Sequence, residues 1–215
     1  EGFDTALHEA LDNIAWHRYP DRGATALRTK LAARYDRAVE EVFVANGSNE
    51  VLQTIMLTFG GAGRTAAVFE PTYALHAHIS KTTGTAVVEG VRRDDFTLDL
   101  DEVRRVVETH EPDVLFVCSP NNPTGLVDPP DTVDAVLDIM SGTNGLLVVD
   151  EAYGQFSPTS DARRATSRAP SPQAPHPPKP HQAPPPKKAK PSKPQKAHFP
   201  MYAVRRVSRK LLSVI

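Results

Sequence analysis

One cysteine, Cys118, stands in 215 residues. A single thiol forms no internal disulfide and builds no Cys-rich zinc site, which favours a reducing, cytoplasmic setting. No run approaches the ~18 consecutive apolar residues of a membrane-spanning helix. The N-terminus is acidic and polar, with no basic segment followed by an apolar run, so no signal peptide is expected. The chain begins at Glu1 rather than Met, so its start is expected to lie upstream. Acidic residues nearly vanish from one region. Residues 161–215 hold one acid, Asp161, against 13 Lys+Arg, a net +12, whereas residues 1–160 hold 12 Lys+Arg against 25 Asp+Glu, a net −13. Twelve of the 20 prolines also fall after residue 160. The near-neutral whole therefore joins two unlike polymers, a globular part over 1–160 and a basic, Pro-rich tail over 161–215.

Within the first part, short apolar runs alternate with helical spacing. Val42-Phe43-Val44-Ala45, Ala66-Ala67-Val68-Phe69, Ala86-Val87-Val88, Val114–Cys118 and Leu146–Val149 read as strands. Between them, Val51, Leu52, Ile55, Met56 and Phe59 share one helix face, with Ser48 or Asn49 as its cap. Leu100, Val103, Val106 and Val107 form a second face, on a helix starting near Asp99, and Val133, Val136, Leu137 and Met140 a third. Continuous apolar strands alternating with amphipathic helices predict an α/β fold in three layers, a mostly parallel sheet covered on both sides. After Ser160 the periodicity stops. Pro184-Pro185-Pro186-Lys187-Lys188 typifies an extended, disordered tail. Near the end, Val204, Val207, Leu211 and Leu212 have the spacing of a short basic amphipathic helix. No repeat of ~20–50 residues is visible.

Ligands of parallel sheets bind outside the carboxyl ends of the strands. Three polar clusters sit at such ends. Gly47-Ser48-Asn49 opens a helix whose free amides and dipole suit a phosphate, though an ordinary capped helix start looks the same. Ser119-Pro120-Asn121-Asn122-Pro123-Thr124-Gly125 is a rigid turn in which Asn122, held before a proline, is aimed either at a ligand or at nothing but the turn. Asp150-Glu151-Ala152-Tyr153 places a carboxylate where it pairs with a protonated ring nitrogen or caps the next helix. His76 and His78 lack a third ligand at a suitable spacing, so no zinc site is expected. Cys118, in an apolar run, reads as an inert core thiol.

Taken together, these clusters resemble the pyridoxal-phosphate-dependent aminotransferases of class I/II, fold type I. Within that superfamily the likeness is greatest to the histidinol-phosphate aminotransferase family. His17-Arg18-Tyr19-Pro20-Asp21, Ala45-Asn46-Gly47-Ser48-Asn49-Glu50, Glu70-Pro71-Thr72-Tyr73, Cys118 to Gly125 and Asp150-Glu151-Ala152-Tyr153 stand in that family's order and spacing, over about residues 1–157. The resemblance implies an incomplete large domain of this fold and pyridoxal 5'-phosphate as cofactor. It implies that Gly47, Ser48 and Asn49 hold the phosphate, that Tyr73 stacks on the pyridine ring, and that Asn122 and Tyr153 hydrogen-bond its phenolic oxygen. Asp150 would pair with the pyridine nitrogen and keep it protonated, which makes the ring a better electron sink. Tyr19 would reach into the site of a partner subunit, implying a homodimer. Glu151 and Asn121 are read as structural. The implied reaction is amino transfer between L-glutamate and imidazole-acetol phosphate in histidine biosynthesis, with aromatic amino-acid transamination as the sibling alternative.

Several parts of the family pattern are not matched. The lysine that forms the Schiff base belongs in a Ser-Lys-Ala-Phe-like segment roughly thirty residues past the aspartate, followed by a glycine- and arginine-bearing strand. Lys179 lies in His176-Pro177-Pro178-Lys179-Pro180, and Ser192-Lys193 sits between prolines, so neither matches. No catalytic lysine is assigned, and the chain as it stands is expected to be a truncated, inactive relative. The small C-terminal domain and the segment preceding the Arg-Tyr-Pro motif are likewise expected but not seen. Ala162-Arg163-Arg164-Ala165 and Ala169-Pro170 fit GC-rich codons read out of frame; the later Lys-rich stretch does not. Without the family's later strands, an apolar sheet edge beside Asp150 is expected to be bare and the chain poorly soluble. A third class of function, a non-catalytic binding protein using the basic Pro-rich tail, remains open. Nucleic acid is not its expected partner, because Phe199 and Tyr202 are the tail's only aromatics for base stacking.

Overall fold

The structure, a computed structural model, describes residues 2–129, 131–157 and 211–214. Two compact units divide it at Val44/Ala45. The N-terminal unit holds helices α1 (Gly2–Asp12) and α2 (Thr25–Tyr35). Asp21 does the capping for α2 from four residues back. Its Oδ2 accepts the Thr25 amide at 2.8 Å and its Oδ1 the Gly23 amide at 2.9 Å. Those bonds, from Thr25 above all, hold the Asp21 carboxyl below the usual carboxylate range. Arg28 of α2 donates to the carbonyls of Val39 and Val42, both at 2.6 Å. That corrects one expectation: residues 42–45 form no strand, because no neighbouring strand pairs with them and Phe43 is exposed.

The second unit is the predicted α/β layer structure. Its elements are α3 (Ser48–Phe59), β1 (Thr65–Glu70), α4 (Leu75–Thr82), β2 (Ala86–Val91), α5 (Leu100–His110), β3 (Val114–Cys118), α6 (Thr132–Ile139), β4 (Leu146–Asp150) and β5 (Leu211–Val214). All pairings are parallel and the strand order is β2-β1-β3-β4-β5. Alternation along β1, β3 and β4 sends side chains to both faces. Ala67, Phe69, Leu115, Val117, Leu147 and Val149 pack with Val103, Val106 and Val107 of α5 and Val133 and Val136 of α6. Ala66, Val68, Val114, Phe116, Leu146 and Val148 pack with Leu52, Ile55 and Met56 of α3. Double coverage explains why these strands read as unbroken apolar runs. Helix α5 starts beside Asp99 as expected, and Asp99 caps it, its Oδ1 accepting the Asp101 amide at 3.0 Å.

The C-terminal residues depart from expectation. Leu211–Val214 is a strand, not part of a helix, and it aligns with Leu147–Asp150 of β4. The edge expected to be bare is therefore paired. A β4 edge with free N–H and C=O groups rewards any short apolar segment that lies along it. The remaining tail residues, Lys179, Ser192-Lys193, Val204 and Val207 among them, lie outside the described residues. A chain shortened to residue 210 should aggregate faster on heating, read by light scattering; an unchanged aggregation rate would show that β5 does not protect the edge.

Candidate active site at the strand ends

Strand order reverses between β1 and β3, since β2 lies to one side of β1 and β3 to the other. Such a reversal opens a crevice at the carboxyl ends of the strands. The β1–β3 ladder aligns only Ala66 with Val114 and Ala67 with Leu115, although β1 runs on to Glu70 and β3 to Cys118. The loops leaving these two strands carry Tyr73 and Asn122. Beside them, β4 ends on Asp150, aligned with Cys118 of β3.

Asp150 is 2 % exposed. Its Oδ1 accepts the Ala152 amide at 3.1 Å, and its Oδ2 lies 2.9 Å from His76 Nε2. A carboxylate only accepts, so Nε2 carries the proton. His76, in the first turn of α4, is itself buried. Its ring lies parallel to Phe116 with centroids 4.7 Å apart, and edge-on to Tyr73 at 5.4 Å. His76 Nδ1 has no hydrogen-bond partner among the described residues. Tyr73 Oη donates to Asn49 Oδ1 at 3.0 Å. A continuous chain of contacts thus runs from the buried carboxylate through His76 and Tyr73 to the start of α3.

That helix start differs in detail from expectation. Neither Ser48 nor Asn49 is the cap; both are inside the helix, and the capping position is Gly47 at φ 93°. Only glycine adopts that angle without strain. Glu50 Oε2 reaches back to the Asn46 amide at 2.7 Å, which steadies the entry. No side chain caps the helix, so the amides of its first turn face outward. They are the donors, and the dipole the field, that an anion needs.

Two further predicted residues lie on the segments that leave β3 and β4. Asn122 is half-buried on the loop after β3, and Tyr153 is exposed on the turn after β4. Tyr19 belongs to the N-terminal unit and is 99 % exposed. His76 joins this cluster although its sequence context suggests no role for it beyond a metal ligand without partners. Its signal was a polar ring three positions after Tyr73, on the inner face of a helix. His78 is exposed. Lys30 and Lys81 are the lysines among the described residues. Lys81 lies in the last turn of α4, 3.4 Å from Glu89, away from the strand ends.

Cys118 closes β3 in the same neighbourhood. Burial pushes its thiol up to about 11, and the charge of Asp150 adds to this. The folded chain should therefore resist a thiol reagent at pH 8 and react fully once unfolded in urea. Between about pH 9 and 11 the unfolded thiol ionises while the folded one keeps its proton. Stability from this group is thus complete below pH 9 and falls by about 2–3 kcal/mol toward pH 11. Cys118→Ala removes that slope, measured by urea denaturation across the range; a slope that persists in the variant would assign it elsewhere.

Comparison with known proteins gives the family. Residues 4–174 match the family model "Aminotransferase class I and II". A histidinol-phosphate aminotransferase of Mycolicibacterium smegmatis is 50 % identical over 152 residues, 68 % of this chain and 68 % of that protein. One from Streptomyces avermitilis is 48 % identical over 145 residues, 64 % of this chain and 39 % of that protein. Among solved structures, a protein from Erwinia carotovora atroseptica described as a histidinol-phosphate aminotransferase superposes with TM-score 0.67 at 25 % identity. That alignment covers 76 % of this chain and 49 % of that one. The chain thus spans between about two fifths and two thirds of the curated relatives it matches. With a matched segment that takes in strands β1 to β4 and the strand-end cluster, the chain belongs to the class I and II aminotransferase family.

Proposed function

We propose that the strand ends form the cofactor-holding part of a transaminase site, for amino transfer between L-glutamate and imidazole-acetol phosphate. Class I and II aminotransferases use pyridoxal 5'-phosphate. The donor set fits that group. An uncapped helix start offers amides to a phosphate, an aromatic ring stands beside it, and a buried carboxylate lies at the far end of the same contact chain. The observation that carries the reading is Asp150, an acidic side chain buried at a strand end.

The roles that the family resemblance implies are assigned to the same residues here. Ser48 and Asn49 would bind the phosphate through first-turn amides that no side chain caps, while Gly47, whose own amide donates to the Ala45 carbonyl at 3.0 Å, would supply the turn that lets the phosphate approach. Asn49 also fixes Tyr73 by accepting its hydroxyl proton, which keeps the ring from swinging. Tyr73 would stack on the pyridine ring and keep water from it, and Asn122 and Tyr153 would donate hydrogen bonds to its phenolic oxygen. Asp150 would keep a proton on the pyridine nitrogen, and His76, 2.9 Å from its second oxygen, would orient it. When bound, the cofactor supplies an electron sink for the charge left as the substrate's α-proton departs. Tyr19 is exposed together with Trp16, as expected of a segment that completes a partner's site in a homodimer. Among the described residues no helix is long and apolar enough to cross a membrane, and a cytoplasmic setting fits the single thiol.

Because no lysine matches the family's Schiff-base segment, this polypeptide holds the cofactor without a covalent bond and does not turn over. Titration with pyridoxal 5'-phosphate, followed by induced circular dichroism, tests both parts. Saturable binding that leaves no mass increment after borohydride reduction is the expected outcome. No saturable signal up to millimolar cofactor would overturn the site, and a stoichiometric reduced adduct would overturn the non-covalent reading.

A further inference from the structure

Asn121 does something the neighbouring Asn122 cannot. It is 1 % exposed and sits at the point where the β1 and β3 loops face one another. Its Nδ2 donates to the Pro71 carbonyl at 3.0 Å and to Thr124 Oγ1 at 3.0 Å. Its Oδ1 accepts the Thr72 hydroxyl at 3.2 Å. The Pro71 carbonyl only accepts, so it fixes which end of the carboxamide is nitrogen. The main chain of Asn121 is equally committed. Its amide donates to Leu126 O and its carbonyl accepts from Gly125 N, both at 2.7 Å, closing the turn. Both side-chain donor hydrogens are used, and the partners lie about fifty positions apart in the chain.

We propose that Asn121 is a positioning residue whose carboxamide fastens the loop carrying Tyr73 to the loop carrying Asn122. It thereby fixes the spacing between the ring-stacking group and the ring-oxygen donor. The inference rests on the pyridoxal-phosphate reading above. Its physical basis is the gap it spans. The β1–β3 ladder holds two aligned pairs and does not reach the strand ends, so backbone pairing does not set the distance between the two loops. One rigid side chain sets it instead. Asn suits the task because a single planar group offers two donors and an acceptor from a short stem. Neither Asp nor Ser provides that set.

Asn121→Asp tests this, because it keeps the shape and removes both donors. In the full chain, the variant should bind pyridoxal 5'-phosphate about tenfold more weakly. It should also show a smaller induced circular dichroism at saturation, because the ring is less firmly set. Amide hydrogen exchange should speed up in residues 71–74 and 119–126 together. Val136→Ala, a core change on the opposite sheet face, serves as the stability control. It should lower the melting temperature and leave cofactor affinity and dichroism as they were. Thr72→Val, which removes only the donor to Oδ1, should shift affinity the same way by less. It keeps the test open where Asn121→Asp does not fold.

Wild-type affinity and dichroism in a folded Asn121→Asp, or an affinity loss in Val136→Ala as large as its own, would overturn the positioning role and leave the cofactor site standing. Failure of the wild-type chain to bind cofactor would overturn the reading beneath it. Increased exchange in only one of the two loops would also overturn the proposal, since a fastening must release both.

Discussion

Asp150→Ala should weaken pyridoxal-phosphate binding about a hundredfold, the size expected when a buried charge-assisted hydrogen bond is lost. The same change strands His76. Its Nε2–H, now facing Asp150 Oδ2 at 2.9 Å, would be left in a fully buried pocket against Phe116. An unsatisfied buried donor costs about 1–3 kcal/mol, so urea denaturation should show a loss of that order alongside the affinity loss. Asp150→Asn separates the two effects. The amide oxygen can still accept either the Ala152 amide or His76, so most of the stability should remain. A neutral amide does not keep the pyridine nitrogen protonated, so affinity should fall almost as far as in Asp150→Ala. Asp150→Asn binding cofactor as the wild type does would remove Asp150 from the site.

Asp128→Ala should be the most destabilising single change outside the site. Arg92 Nη1 lies 3.1 and 3.2 Å from the two Asp128 oxygens, and both side chains are buried. Around the pair the backbone is fully drawn in. Leu98 N donates to Asp128 Oδ1 at 2.9 Å, Arg92 Nη1 to Phe96 O at 3.0 Å and Arg92 Nη2 to Cys118 O at 3.2 Å. Removing Asp128 leaves a guanidinium without its countercharge, which costs about 3–5 kcal/mol. For a fold of this size the melting temperature should drop by roughly 10 °C. The double change Arg92→Leu with Asp128→Leu should recover only part of that. Two like-sized apolar groups cure the stranded charge, but they leave Leu98 N, Phe96 O and Cys118 O without partners. A loss below about 1 kcal/mol for Asp128→Ala would mean that water reaches Arg92 and screens it.

The sheet was legible because its central strands are covered on both sides. That makes Ala66–Phe69, Val114–Cys118 and Leu146–Val149 unbroken apolar runs, and little else produces such runs at that spacing. Val42–Ala45 has the same composition and forms no strand, since apolar residues announce burial or a partner but do not supply one. The error at the other end is the reverse. Val204, Val207, Leu211 and Leu212 have helical spacing, yet Leu211–Val214 follows the open edge of β4. Tertiary pairing overrode a weak local pattern. Helices α1 and α2 were not read at all, because their apolar positions, Leu7, Leu11 and Leu27, stay exposed and mark no clear core face.

The site divides in the same way. Gly47, Asn122 and Asp150 stand out in the sequence because each sits at a strand end or helix start, where sequence neighbours mark the position, and Tyr73 stands out through the family resemblance. His76 and Asn121 were undervalued because their meaning lies in partners far along the chain. His76 meets Asp150 across 74 positions and Asn121 meets Pro71 across 50. No spacing rule connects such pairs; only the parallel sheet, which gathers its strand ends in one row, brings them together. The cap of α3 was misplaced for a local reason. Gly47 at positive φ takes the capping position, which leaves Ser48 inside the helix and its amide free for a ligand.

The most direct test of the strand-end site is the protonation of the bound ring. Nitrogen-15 NMR of pyridoxal 5'-phosphate labelled at the pyridine position, bound to the full chain, reads it without any need for turnover. The shift of a protonated nitrogen, held at a pH where the free cofactor has lost its proton and abolished by Asp150→Asn, is the expected result. An unprotonated ring nitrogen, or a protonated one indifferent to Asp150→Asn, would contradict the site described above.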